Sequence, residues 1–264
     1  MPRSECFPLA ELPTELASAS EALLLAALDS EALFTIAGGL KPVSGGFATF
    51  FPNEHGVLDD AAVERTSALM APWHCGDELA AGVYAFVHSD AQGGRYADAI
   101  VGHRAALQRL RDRHREFFAP YPSERGAPAL DLVFAVERDP SPLRRWRGYG
   151  YLFGYPAYAV DFFVDAEDAR ARTGRRSERD FLSVPIHGGV TERFAWAVPR
   201  GHVENDDDRS IRERAQRILQ HYEALRARFI GEGRPGPIAL VRQLLCGDAP
   251  TCDVGEAVGA AAMP

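Results

Sequence analysis

The chain has 264 residues, 46% of them hydrophobic and 25% charged, which is a globular composition with apolar mass enough for a core. A formal net charge of −8 argues against non-specific nucleic-acid binding and against an anionic membrane surface as partner. The longest apolar run, ALLLAAL at 22–28, falls far short of the roughly 20 residues that cross a bilayer.

A first helix is predicted from Thr14 to Asp29. The segment before it is acidic and lacks a basic start, so it does not read as a signal peptide. A cytoplasmic location is the default expectation, and an exported form stays open if a leader has been removed. Strand signals follow in ALFTIA (32–37) and GFATFF (46–51), both rich in β-branched and aromatic residues. A second helix is expected after Asp59–Asp60, whose carboxylates suit the positive end of the helix dipole, and it stops before Pro72. GVYAFV (82–87) reads as a strand. A third helix is read over 95–118, with Tyr96, Ala99, His103, Leu107, Leu110, His114 and Phe117 on its apolar face and Arg104, Gln108, Arg111, Asp112 and Arg115 outward.

The stretches 119–129 and 172–180 read as loops. LDLVFAV (130–136) and GYGYLF (148–153) read as strands, and a fourth helix runs from Pro156 to Gly174. FLSVPI (181–186) and RFAWAV (193–198) flank a Gly-Gly turn and predict a hairpin. After ENDDD, Asn205 caps a fifth helix with Ile211, Ala215, Ile218, Tyr222, Leu225 and Phe229 along its buried stripe, and PIALVRQLL forms a sixth. The result is a single α+β domain over 1–252 with a mixed, mainly antiparallel sheet and helices packed on it. The tail 253–264 is expected to lie outside the fold.

Chemistry is sparse. The chain has one lysine, Lys41, among 28 arginines. It stands in GGLKPVSGG, where Gly38 and Gly39 permit positive φ and converging N–H groups, and Ser44 adds a hydroxyl. Arginine matches the charge of lysine but not its compact ammonium or tunable pKa. The stretch is therefore an anion-binding or catalytic loop, against the simpler reading of an exposed cation. PWHCGDE (72–78) offers His74 as base, Cys75 as nucleophile and Asp77 and Glu78 as orienting acids, against the simpler reading of a capping loop around a buried Trp73. His187 lies in the Gly-Gly turn, and Tyr151 and Tyr155 are the aromatic residues placed to face a ligand.

His103 and His114, eleven residues apart on one helix, are too far separated to share a metal ion, and no metal-ligand or cofactor motif appears. The four cysteines form no C-x-x-C pair. Free thiols are expected, with a Cys246–Cys252 loop as the alternative in an oxidising compartment.

These residues give two readings. The first is a small-molecule enzyme, hydrolase or lyase in type, acting on an anionic or carbonyl-bearing substrate, with Lys41, Ser44, His74 and His187 catalytic and Gly38, Gly39, Tyr151 and Tyr155 binding. The second is a non-catalytic ligand-binding or protein-interaction domain. Neither needs a metal, a cofactor, nucleic acid or a membrane, and the oligomeric state is open.

Overall fold

The computed structural model describes residues 5–86, 96–121, 130–189 and 194–246. The predicted tail 253–264, and most of the predicted loop 119–129, lie outside them.

The chain opens with α1 (Thr14–Leu28), which follows Pro13 and is built from Ala and Leu, both strong helix formers. The next turn is α2 (Leu33–Ile36), buried throughout. Two short strands follow, β1 (Val43–Ser44) and β2 (Thr49–Phe50), and then α3 (Asp60–Met70), where the Asp59 carboxylate accepts from the Ala62 N–H. The long pair β3 (Leu79–Phe86) and β4 (Tyr96–His103) is antiparallel over its whole length. β1 and β2 both pair with the other edge of β4, Val43 opposite Gly102 and Thr49 opposite Asp98. They act as one strand interrupted at Gly45–Gly46.

The Asp98 side chain fills that interruption. Its carboxylate accepts from the Gly46 N–H at 2.8 Å and from the Thr49 hydroxyl at 2.9 Å, and a Cβ on Gly45 would lie 2.5 Å from it. Burial pushes the carboxyl up to about 6, against the opposing pull of those hydrogen bonds. The folded protein then holds this proton more tightly than the unfolded chain does. Stability is expected to fall as pH rises from about 4 to about 6, by an amount on the order of 3 kcal/mol. Urea melts across that range should show the slope, and Asp98→Asn should flatten it.

Past β4 come α4 (Arg104–Arg113) and the single turn α5 (Arg115–Phe118), then α6 (Asp131–Glu137) and α7 (Pro142–Leu152), which starts at a Ser141 cap with proline in its first turn. α8 (Ala157–Thr173) ends at Gly174 in the left-handed conformation. β5 (Arg179–Val184) and β6 (Phe194–Pro199) form the predicted antiparallel hairpin, part of whose connection lies outside the described residues. α9 (Asp206–Phe229) carries a full capping box between Asn205 and Asp208, and α10 (Pro237–Cys246) follows.

The fold class is α+β with antiparallel sheets and helices packed on them, as read from the sequence. Among the described residues the strands form two antiparallel sheets, one of four strands and one of two. Along β4 the period-2 alternation sends Ala99 and Val101 into a core shared with α1, α9 and α10, and Ile100 into a second core with α6, α7 and α8. A third core joins Phe34, Phe194, Trp196 and Ala215 under the β5–β6 hairpin. No described helix is long and apolar enough to cross a membrane.

Four predicted elements differ. Residues 96–103, read as the front half of a helix, are strand β4, because full-length pairing with β3 outweighs the helical pattern and Gly102 is a poor helix residue. His103 therefore ends a strand and caps α4, its Nδ1 accepting from the Ala106 N–H. ALFTIA, LDLVFAV and GYGYLF are helical in α2, α6 and α7. All three are short, mostly apolar runs, which periodicity alone cannot assign to strand or helix.

The cysteine expectation is also corrected. Cys6 and Cys75 form a disulfide, and Cys246 is bonded to a partner outside the described residues. Cys75 is therefore not a free nucleophile in PWHCGDE.

Candidate functional site

The Lys41 loop turns inward. Its side chain is 0% exposed. The ammonium donates to Glu31 Oε2 at 2.7 Å and lies 4.6 Å from the Phe194 ring centre and 5.6 Å from that of Phe153. Burial pushes the amine below its ordinary pKa, and the Glu31 carboxylate pulls it partly back. Ser44, equally buried, donates to the Glu31 carbonyl at 3.1 Å and so accepts from Thr35 Oγ1 at 2.7 Å. Lys41 and Ser44 thus both engage Glu31.

His74 lies in the disulfide loop, its carbonyl accepting from the Phe7 N–H. His187 sits 3.5 Å from Glu223 and 3.9 Å from Asp29, with its ring edge-on to Tyr222. No hydrogen bond or ion pair links either histidine to Lys41 or Ser44. Gly38 has φ +110°, and a Cβ there would lie 4.0 Å from Ile218 of α9.

A different set of side chains converges. A solvent-open cavity of about 360 Å³ lies between α4, α9 and the turn joining α7 to α8. α4 contributes Ala106, Arg109, Leu110 and Arg113, and α9 contributes Asp207, Ser210, Ile211 and Arg214. Each set is spaced i, i+3, i+4, i+7, which is one face of a helix. Gly39 closes one end. Its φ of +59° and the 3.0 Å that would separate a Cβ from Ala106 make any other residue strained there. Arg109 reaches its carbonyl at 3.5 Å. Gly154, with φ +79°, lets the α7–α8 turn pack directly on the Leu40–Pro42 backbone. Tyr151 and Tyr155 line the same cavity, and His114 stacks on Tyr151 with ring centres 3.8 Å apart.

Electrostatics single out this cavity. Arg113 and Arg214 make no ion pair among the described residues. Burial, together with the charges of Arg109, Arg113 and Arg217, depresses the Arg214 guanidinium. Burial and Arg113 likewise hold His114 below its ordinary value, so it adds no charge near neutral pH. Three guanidinium groups against the single carboxylate of Asp207 leave the lining with a surplus of two positive charges.

No known family, curated protein or solved structure matches this chain. Function therefore rests on the site itself. Of the residues singled out from sequence, Gly39, Tyr151 and Tyr155 line the cavity, whereas Gly38, Lys41, Ser44, His74 and His187 do not. Arg109, Arg113 and Arg214 were not singled out. One signal was present: Arg109 and Arg113 repeat a like charge at i,i+4, an arrangement that destabilises a helix unless something else uses it. Among the described residues, no group of three or more His, Cys, Asp or Glu is placed to hold a metal ion.

Proposed function

We propose that the protein binds a small organic anion, a phosphate monoester by preference, in the cavity of Arg109, Arg113 and Arg214. The observation that carries this is the uncancelled positive charge of the lining. Arginine presents paired N–H donors suited to phosphate oxygens, and a phosphate monoester carries roughly −1.5 to −2 at neutral pH, close to the local surplus. Ser210 adds a hydroxyl. A volume near 360 Å³ falls in the range of small-molecule sites and exceeds what a bare inorganic ion needs.

This is the ligand-binding alternative of the sequence reading. The enzymatic reading, hydrolysis or lyase chemistry at Lys41, needs a substrate to reach an ammonium that is wholly enclosed by Glu31, Phe153 and Phe194. The bonded cysteines favour maturation in an oxidising compartment over the cytoplasmic default.

Calorimetric titration with phosphate at low ionic strength tests the reading. Arg113→Ala and Arg214→Ala should each weaken binding by roughly tenfold, the worth of one hydrogen bond to a charged group. Added salt should weaken it further. Neither variant should melt earlier than wild type, because each removes like-charge repulsion. Wild-type affinity in the Arg113→Ala/Arg214→Ala double variant would sink the proposal.

A further inference from the structure

A second cavity, of about 320 Å³, lies on the other side of the same turn, between the α7–α8 pair and the β5–β6 hairpin. Its composition is the opposite of the first. Trp146, Tyr149, Phe153, Phe163 and Phe181 supply aromatic walls, and no charged residue lines it. The residues between those rings are small: Ala159 on α8 and Ala195 and Ala197 on β6. The strand register puts Phe181 directly opposite Ala197 and Ser183 opposite Ala195, so one face of the hairpin carries the two alanines that line the cavity. Phe181 stands at the edge with 64% of its surface exposed. A large apolar side chain left in water beside an aromatic slot marks a contact surface more readily than a core.

Tyr155 belongs to the lining of both cavities. It is the first residue past Gly154 in the turn, and its ring stacks against Phe194 at 6.1 Å. One residue therefore borders both a cationic compartment and an aromatic one.

We infer that the ligand is an anion bearing a planar apolar group, an aryl phosphate in chemical class, whose oxyanion sits among Arg109, Arg113 and Arg214 while its ring passes Tyr155 into the aromatic slot. This rests on the anion-binding reading and adds the second half of the ligand. Charge complementarity fixes the head, and the uncharged aromatic lining fixes the body. Neither compartment suits the other half, since a charge in the aromatic slot would lose its solvation without gaining a partner.

The test compares inorganic phosphate, 2-naphthyl phosphate and 2-naphthol by calorimetry on the full chain. The naphthyl ester should bind roughly ten- to a hundredfold tighter than inorganic phosphate, the gain from burying an aromatic group of this size. Ala195→Leu, which fills the slot, should abolish that gain and leave inorganic phosphate binding at wild-type strength. Phe181→Ala should reduce the gain, and its exposed position keeps it clear of the folding core. Equal affinity for phosphate and its naphthyl ester overturns this inference and leaves the anion reading intact. Naphthol binding as tightly as the ester also overturns it, because the two compartments would then be independent. If neither phosphate nor the ester binds, both readings fall.

Discussion

Replacing Lys41 with methionine is expected to destabilise the protein by about 3 kcal/mol, the lower end of the cost of breaking a buried ion pair. From sequence alone, this lysine stood in an anion-binding or catalytic loop. Its position makes it a core residue. Lys41 is wholly buried and its partner Glu31 is only 14% exposed, so the methionine variant strands a carboxylate that water barely reaches. It also removes the ammonium from the face of Phe194. Lys41→Arg should be destabilising too, by about 1–3 kcal/mol, because a planar guanidinium overfills a space closed by Phe153 and Phe194. The double variant Lys41→Met/Glu31→Met should recover most of the loss, since replacing both partners leaves no unpaired charge. Urea denaturation of the four proteins measures this. A methionine variant within 0.5 kcal/mol of wild type would refute the structural role. This explains why the one lysine of the chain was not replaced by arginine: a core slot admits the narrower cation.

The second large effect concerns the Cys6–Cys75 bond. It links residues 69 apart in sequence, and closing a loop of that length restricts the unfolded chain by about 4 kcal/mol on the loop-entropy model. The bond also holds the N-terminal segment in the core. Cys6 and Phe7 are 0% and 1% exposed, the Phe7 N–H donates to the His74 carbonyl at 3.0 Å, and Arg242 of α10 donates to the Cys6 carbonyl at 2.8 Å. Cys6→Ala/Cys75→Ala is expected to lose about 2–4 kcal/mol, and dithiothreitol should lower the wild-type midpoint in the same direction. Unfolding the wild type without reductant should expose no reactive thiol at Cys6, Cys75 or Cys246. Full reactivity at those three positions would restore the free-thiol expectation.

What the sequence made legible has a physical pattern. Helices with chemical punctuation were readable: α3 begins at Asp59, α8 lies between Pro156 and Gly174, and α9 starts at Asn205. The β5–β6 hairpin was readable because two aromatic-rich runs flank a glycine pair. The stretches 33–36, 131–137 and 142–152 were not, since short, mostly apolar runs fit a strand as well as a helix, and 33–36 is buried throughout. For α7 the cue was Ser141–Pro142, a cap and first-turn proline that the aromatic run after it obscured.

The candidate site divides in the same way. Gly39, Tyr151 and Tyr155 attract notice by residue type. Arg109, Arg113 and Arg214 are three of 28 arginines, and it is the cavity lined by both α4 and α9 that brings them together. The lone lysine drew attention through rarity, which correlates with an unusual environment but does not say whether that environment is a site or a core.

The most direct measurement is a crystal soaked in tungstate, a tetrahedral oxyanion with a strong anomalous signal. The account predicts a single dominant anomalous peak within hydrogen-bonding reach of Arg109, Arg113 and Arg214, lost in crystals of the Arg113→Ala/Arg214→Ala variant. A dominant peak elsewhere, or one that survives in that variant, would contradict it.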